Sequence, residues 1–227
     1  MLQQHELTHK KTVLKENEKS MKVFANGLLT GLVLQAAIGP VFFFIINLAL
    51  QRSLYDGLVA VVAVTLVDYF YISLAILGIG KLLEKKKVKK AFGIISSVVL
   101  IIFGLVIIKG VMGENIATIS NIQSASLLAS FSATFFLTIS SPMTIVWYTG
   151  LFTAKAIEYN YTKRELLVFG LSVGLATLLF MGTSVILFSL VKRTMPISLI
   201  QTLNIIVGSL LMLYGAVRLT KVLKNSA

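Results

Sequence analysis

The sequence contains no cysteine, only two histidines and few charged residues. The absence of cysteine excludes disulfides, thiolate metal sites and cysteine catalysis. His5 and His9 lie in a polar N-terminal segment, so we expect them to be solvated and predict no metal site and no cofactor. Charged residues are 13% of the chain, whereas a soluble domain is about a quarter charged. With 56% hydrophobic residues and a mean hydropathy of +0.89, the chain is predicted to be an integral membrane protein.

Chemistry-bearing residues are also scarce inside the apolar segments. No histidine or cysteine lies within them, carboxylates are not paired there, and no ATP-binding P-loop occurs. We therefore predict that the protein is not an enzyme, and that any uphill transport is driven by an ion gradient or the membrane potential. The net charge of +12 does not indicate a nucleic-acid partner, because the basic residues flank apolar segments, where they meet lipid.

Six apolar segments predict an all-α protein with about six transmembrane helices. They cover approximately residues 23–50, 57–80, 91–109, 125–154, 166–190 and 197–217. The polar segment 1–22 is predicted to be a solvated, partly disordered tail rather than a surface amphipathic helix. The remaining chain divides into a first half (23–109), a connecting loop (110–124) and a second half (125–227).

Proline interrupts the first apolar segment of each half. Gly39 and Pro40 follow Gln35 in the first segment, and Ser141 and Pro142 interrupt the fourth. Proline lacks an N–H and frees backbone groups that hydrocarbon cannot satisfy, so such breaks either are repaired by neighbouring helices or line a wet cavity. Three segments per half and matching breaks predict two inverted three-helix repeats, a recurring transporter design.

The distribution of basic residues predicts the orientation. If all six segments cross, seventeen Lys and Arg residues fall on the side of the two termini and four on the other. Because positive charge accumulates on the cytoplasmic side, both termini are predicted to be cytoplasmic in a multi-pass protein of the cell membrane.

Asp68 is the only acidic residue deep inside an apolar segment. A carboxyl at that depth costs about 2.5–3.5 kcal/mol on insertion scales, so it should be paired, protonated or turned to the protein interior. Thr65 and Tyr71 lie three residues on either side, on the same helix face. We interpret Asp68 as a proton-exchanging group in an ion pathway; the alternative is a protonated structural hydrogen bond.

Helix ends at the two breaks offer N–H groups for a carboxylate and carbonyls for an ammonium group, so a zwitterion would suit them. Trp147 and Tyr148 follow Pro142 closely and are candidates for a pocket wall, with an interfacial or lipid-facing position as the equally favoured alternative for both. Asn47 and Asn204 are further polar residues within apolar segments.

The chain resembles the LysE/RhtB family of amino-acid exporters. The resemblance rests on AAIGPVFFF in the first segment, VTLVDYFYISLAILGIGKLLE in the second and FFLTISSPMTIVWYTGLF in the fourth. It implies a six-helix inverted-repeat fold and proton-coupled efflux of amino acids or related metabolites. Family members often carry Asn where this chain has Val41 and Ser141, so the resemblance does not transfer a substrate.

The predicted partners are a small-molecule substrate, protons and the lipid bilayer, with a homo-oligomer left open. A non-transporting membrane subunit, with an assembly or sensor role, is the alternative from another class. A metal-ion exporter of the wider superfamily is less favoured, because the chain has one buried acid and no cysteine.

Overall fold

A computed structural model of the protein describes residues 2–35, 39–78, 86–112, 126–140, 143–192 and 196–224. All regular structure within these ranges is helical, which confirms the predicted all-α class. The helices are α1 (Leu2–Gln35), α2 (Pro40–Gln51), α3 (Leu54–Ile76), α4 (Lys86–Met112), α5 (Leu127–Ile139), α6 (Met143–Glu158), α7 (Lys163–Lys192) and α8 (Ile197–Lys224).

The chain bends sharply at both predicted breaks. α1 and α2 meet at 80°, and α5 and α6 meet at 63°. α2 begins at Pro40, whose missing N–H costs nothing in the first helical turn, and Gly39 precedes it in an extended conformation. Pro40 therefore begins a new helix rather than kinking a continuous one.

Three helices are individually long and apolar enough to cross a membrane, namely α3, α7 and most of α8. Each bent pair, α1–α2 and α5–α6, adds one further crossing if its two members form a single broken span. α4 contains a shorter apolar segment, 93–109. The six-span inverted repeat stays a prediction, and the predicted loop 110–124 begins inside α4, its residues from 113 onward lying outside the described ranges.

The N-terminal tail is helical and continuous with the first apolar segment. The segment 2–26 contains neither glycine nor proline, so nothing local ends the helix. Glu18 and Lys22 form an ion pair one turn apart, and Lys19 pairs with Glu165 on α7. The side chains of residues 14–22 are exposed, as expected for a solvated segment, but the backbone is ordered as helix rather than partly disordered.

Helix pairing joins the two halves of the chain. α1 packs along α7 and α5 packs along α3, while α3 also contacts α7 and α4 pairs with α8. Glycine allows the close approach of α1 and α7, because a Cβ on Gly27 would lie 2.7 Å from the Phe169 carbonyl oxygen. At the α4–α8 crossing, a Cβ on Gly104 would lie 2.6 Å from the Gly208 carbonyl oxygen. These contacts follow the small-residue packing that replaces water exclusion inside membranes.

Two apolar clusters fill the interior. The first contains residues of α2, the start of α3 and the end of α7, among them Ile45 and Val64. The second contains the end of α3, α6 and the start of α7, among them Val67 and Phe169. The boundary between the clusters crosses α3 between Val64 and Val67, which places Asp68 beside it.

Candidate functional site

A chain of hydrogen bonds connects Asp68 to the first break. Asp68 is buried, and its Oδ2 accepts a hydrogen bond of 2.8 Å from the Thr177 hydroxyl on α7. The same hydroxyl accepts a hydrogen bond of 2.6 Å from the side-chain amide of Gln35, the last residue of α1. These two hydrogen bonds therefore join α1, α7 and α3, with Thr177 between Gln35 and the Asp68 carboxyl.

The second break approaches the same carboxyl through two tyrosines. Tyr148 lies near the start of α6 and is buried, with its hydroxyl close to the Asp68 carboxyl. Tyr71, one turn along α3 from Asp68, donates to the carbonyl oxygen of Ile139 at 2.6 Å. Ile139 is the last residue of α5, where carbonyls have no partner within the helix. We call Gln35, Asp68, Tyr148 and Thr177 the Asp68 network.

The Asp68 network lies between the two apolar clusters. On α7, Val173 belongs to the second cluster and Met181 to the first, with Thr177 midway between them. An ionised carboxyl in such surroundings is costly unless it is hydrogen-bonded or paired, and polar groups inside a membrane mark ion and substrate pathways. The Asp68 network is therefore the candidate functional site among the described residues.

The structure brings some predicted residues together and places others elsewhere. Thr65 is buried, but its hydroxyl donates to the Val61 carbonyl of its own helix at 2.8 Å. Asn47 on α2 donates to Asn204 on α8, where the two amides form a buried pair. Trp147 is 61% exposed, which corresponds to the lipid-facing alternative rather than to a pocket wall.

The structure describes the residues that flank each break but not those at its centre. Gly39 precedes α2, which begins at Pro40, and no side-chain hydrogen bond from the cap position reaches that helix start. Ser141 and Pro142, predicted at the second break, lie outside the described residues.

Thr177 is the functional candidate that sequence reasoning missed. Hydroxyl residues are frequent in the apolar segments, and nothing local separates Thr177 from Thr183 on the same helix. Only packing distinguishes them, since Thr177 is buried against Asp68 and Thr183 is exposed. Threonine occurs in the second apolar segment of each half, 57–80 and 166–190, and this is only a weak signal that Thr177 belongs to the site. Tyr148 was a candidate beside Trp147, and the structure buries Tyr148 alone.

Two short segments match enzyme patterns. Gly170-Leu171-Ser172-Val173-Gly174 reads as the hydrolase nucleophile elbow, which requires a strand-to-helix turn. Here the segment lies inside α7, and the Ser172 hydroxyl donates to the Phe169 carbonyl at 2.8 Å. His5-Glu6-Leu7-Thr8-His9 reads H-E-x-x-H, a zinc pattern, and lies near the start of α1. The pattern supplies two histidines, and a catalytic zinc needs a third protein ligand, which can be a histidine, a cysteine or a carboxylate.

Comparisons with known proteins agree with this membrane architecture. The model of the LysE type translocator family matches residues 32–221, which include the Asp68 network and both breaks. A relative from Bacillus subtilis (strain 168), named "Putative amino acid efflux protein YcgF", is 23% identical over 198 residues, covering 86% of this chain and 94% of the relative. No solved structure gives a significant match.

Proposed function

This chain belongs to the LysE type translocator family, and we propose that it exports amino acids or closely related zwitterionic metabolites, driven by the proton gradient. Membership in the family supports a multi-pass membrane translocator of a small molecule. The amino-acid substrate is supported by the name of the Bacillus subtilis relative and by the helix ends at the breaks. The observation that carries the proposal is the buried Asp68 carboxyl, hydrogen-bonded between both halves of the chain.

Asp68 suits proton coupling because its partners can serve both of its protonation states. The Thr177 hydroxyl donates to the ionised carboxyl and can rotate to accept a hydrogen bond from the protonated one, and the Tyr148 hydroxyl lies close by. Gain or loss of a proton would therefore reverse the hydrogen bond that joins α3 to α7. Such a reversal gives the proton a direct influence on how the two halves pack.

The breaks suit a zwitterion because they present helix ends of both signs. The uncapped start of α2 at Pro40 offers N–H groups and the positive end of a helix dipole to a carboxylate. The end of α5 presents carbonyl oxygens that could accept from an ammonium group, although that of Ile139 already accepts from Tyr71 and those of Phe136 and Leu137 accept from Ser140. Gln35 supplies a side-chain amide beside the first break.

The direction of transport follows from the proposed orientation. The bias of seventeen to four basic residues supports cytoplasmic termini in the cell membrane. A proton entering from outside down its gradient would then reach Asp68 and be exchanged for a substrate leaving the cytoplasm. Two inverted three-helix repeats, supported by the reciprocal packing of α1 on α7 and α5 on α3, would alternate access to the site.

The test is efflux from vesicles under an imposed pH gradient, with each amino acid supplied in turn. The parent protein should drive efflux of at least one of them. Asp68→Asn should reach the same membrane abundance but lose gradient-driven efflux, because an amide cannot exchange a proton. Glu158→Gln, which removes an exposed carboxyl at the end of α6, is the matched control and should retain efflux.

Two results would contradict the proposal. If Asp68→Asn transports like the parent, Asp68 is a structural hydrogen bond. If the parent moves no amino acid at all, the substrate class is wrong and the non-transporting membrane subunit becomes the better description.

A further inference from the structure

A second buried carboxyl lies far from Asp68, at the start of α3. Asp56 is 6% exposed and occupies the first turn of that helix. Its Oδ2 accepts a hydrogen bond of 2.5 Å from the Ser53 hydroxyl, and its Oδ1 accepts one of 2.5 Å from the Ser130 hydroxyl. The Arg52 guanidinium lies 4.0 Å from Oδ1. We call Arg52, Ser53, Asp56, Ser130 and Lys192 the Asp56 cluster.

Part of the Asp56 cluster is an ordinary helix cap. The Ser53 hydroxyl accepts from the Asp56 N–H at 3.1 Å, which satisfies one free donor of the helix start. A cap of this kind uses neighbouring residues and needs no partner from elsewhere in the chain. Ser53 and Asp56 would cap α3 equally well on an exposed surface.

The other contacts of the Asp56 cluster join the two halves. Ser130 lies on α5, and its hydroxyl both donates to Asp56 and accepts from the Arg52 guanidinium at 2.8 Å. Lys192, at the end of α7, donates to the Arg52 carbonyl at 3.0 Å. The turn between α2 and α3 is thus held by two helices of the second half through buried or half-buried polar groups.

The opposite end of the molecule is held differently. There, Glu16 on α1 pairs with Arg164 at the start of α7, and these side chains are 63% and 83% exposed. Lys19, also on α1 and 64% exposed, pairs with Glu165. The Glu165 side chain is 15% exposed, whereas a pair exposed on both sides, such as Glu16–Arg164, contributes little to stability because water and salt screen it. Breaking the hydrogen bonds of a buried carboxyl costs far more free energy, because the group is left without partners and without water.

We propose that the Asp56 cluster is a latch that closes the end of the translocation pathway opposite the N-terminal tail. This inference rests on the proposed export function, since a carrier must separate its halves at one end while holding them at the other. In this structure the latch is closed. Release of substrate at this end requires Ser130 and Lys192 to leave Asp56 and Arg52, so the latch sets the free-energy cost of opening.

The test measures the opening of this end by thiol labelling, because the chain has no native cysteine. Ala133 lies one turn along α5 from Ser130 and packs against the first apolar cluster. An Ala133→Cys reporter should react slowly with a polar maleimide when the protein is in lipid nanodiscs. Both faces of the bilayer meet water in a nanodisc, so the reagent can reach either end of the protein. Adding Asp56→Asn or Ser130→Ala should raise the labelling rate at least threefold, whereas Ser132→Ala on the same helix should not.

Thermal unfolding of each variant keeps the result interpretable. Ser130→Ala removes one hydroxyl and leaves the local cap intact, so it should remain folded even if Asp56→Asn does not. Unchanged labelling in folded Ser130→Ala would overturn the latch, as would an equal rise in Ser132→Ala. The labelling needs no substrate, so failure of the export proposal, seen as a parent without efflux, is a separate result.

Discussion

Replacing Thr177 by valine tests the Asp68 network at the residue that links Gln35 to Asp68. Valine keeps the shape of threonine and removes only the hydroxyl, which accepts from Gln35 at 2.6 Å and donates to Asp68 at 2.8 Å. Hydrogen bonds between membrane helices contribute about 0.6 kcal/mol on average and about 1.7 kcal/mol at most. Loss of both should therefore cost about 1–3 kcal/mol.

A cost of this size should impair transport without unfolding the protein. Domains are stable by about 5–15 kcal/mol, so Thr177→Val should still insert and reach normal abundance. If the two bonds stabilise the rate-limiting state of the transport cycle, a loss of about 1–3 kcal/mol corresponds to a rate lower by about fivefold to 150-fold. The assay is gradient-driven efflux from vesicles, normalised to the amount of folded protein.

Matched variants separate the hydroxyl from general effects on α7. Thr183→Val makes the same chemical change at an exposed position of the same helix and should leave efflux unchanged. Thr177→Ser keeps the hydroxyl and should recover most of the rate. Equal efflux from Thr177→Val, Thr183→Val and the parent would refute the reasoning, because the network would then take no part in transport.

The remaining predictions concern packing, the amide pair and topology. Gly104→Ala should destabilise the protein by about 1–3 kcal/mol in thermal unfolding, since its Cβ would lie 2.6 Å from a backbone oxygen, whereas Gly182→Ala meets nothing within 4 Å and should be neutral; similar melting of the two would disprove the tight crossing. Asn47→Leu should lower the free energy of unfolding by about 1–3 kcal/mol, because Asn204 is left unpaired. The double variant with leucine at both Asn47 and Asn204 should regain stability and keep efflux. Loss of efflux in a stable double variant would instead place Asn47 in the pathway. Reporters fused to the C-terminus and within 81–90 should both report cytoplasm, and opposite answers would exclude the six-span topology.

The sequence predicted the centre of the site because its signals are rare. An acid seldom occurs in an apolar segment, and proline cannot continue a helix without losing a backbone hydrogen bond, so Pro40 and Asp68 could be identified without knowledge of packing. The helix bends and the buried carboxyl are where those residues predicted. Gln35 is predicted only from its position beside the first break, and the structure shows that its amide donates to the Thr177 hydroxyl.

The partners of Asp68 could not be predicted in the same way. Which face of α7 meets α3 depends on the fit of Gly170 against Ile72 and of Gly174 against Tyr69, which is tertiary information. Asp56 likewise reads as a helix cap until its contact with Ser130, 74 positions away, is known.

The central claim is that the two breaks beside Asp68 form a water-accessible site for a zwitterionic substrate. Cysteines placed singly at Gly39 and Thr144, one beside each break, test it directly because the chain has no other thiol. Both should react with a polar thiol reagent, and a transported amino acid should slow the reaction. Ile102→Cys, exposed on α4 where lipid is expected, should stay unreactive. Unreactive cysteines at both breaks, or reaction rates that no amino acid changes, would contradict the account.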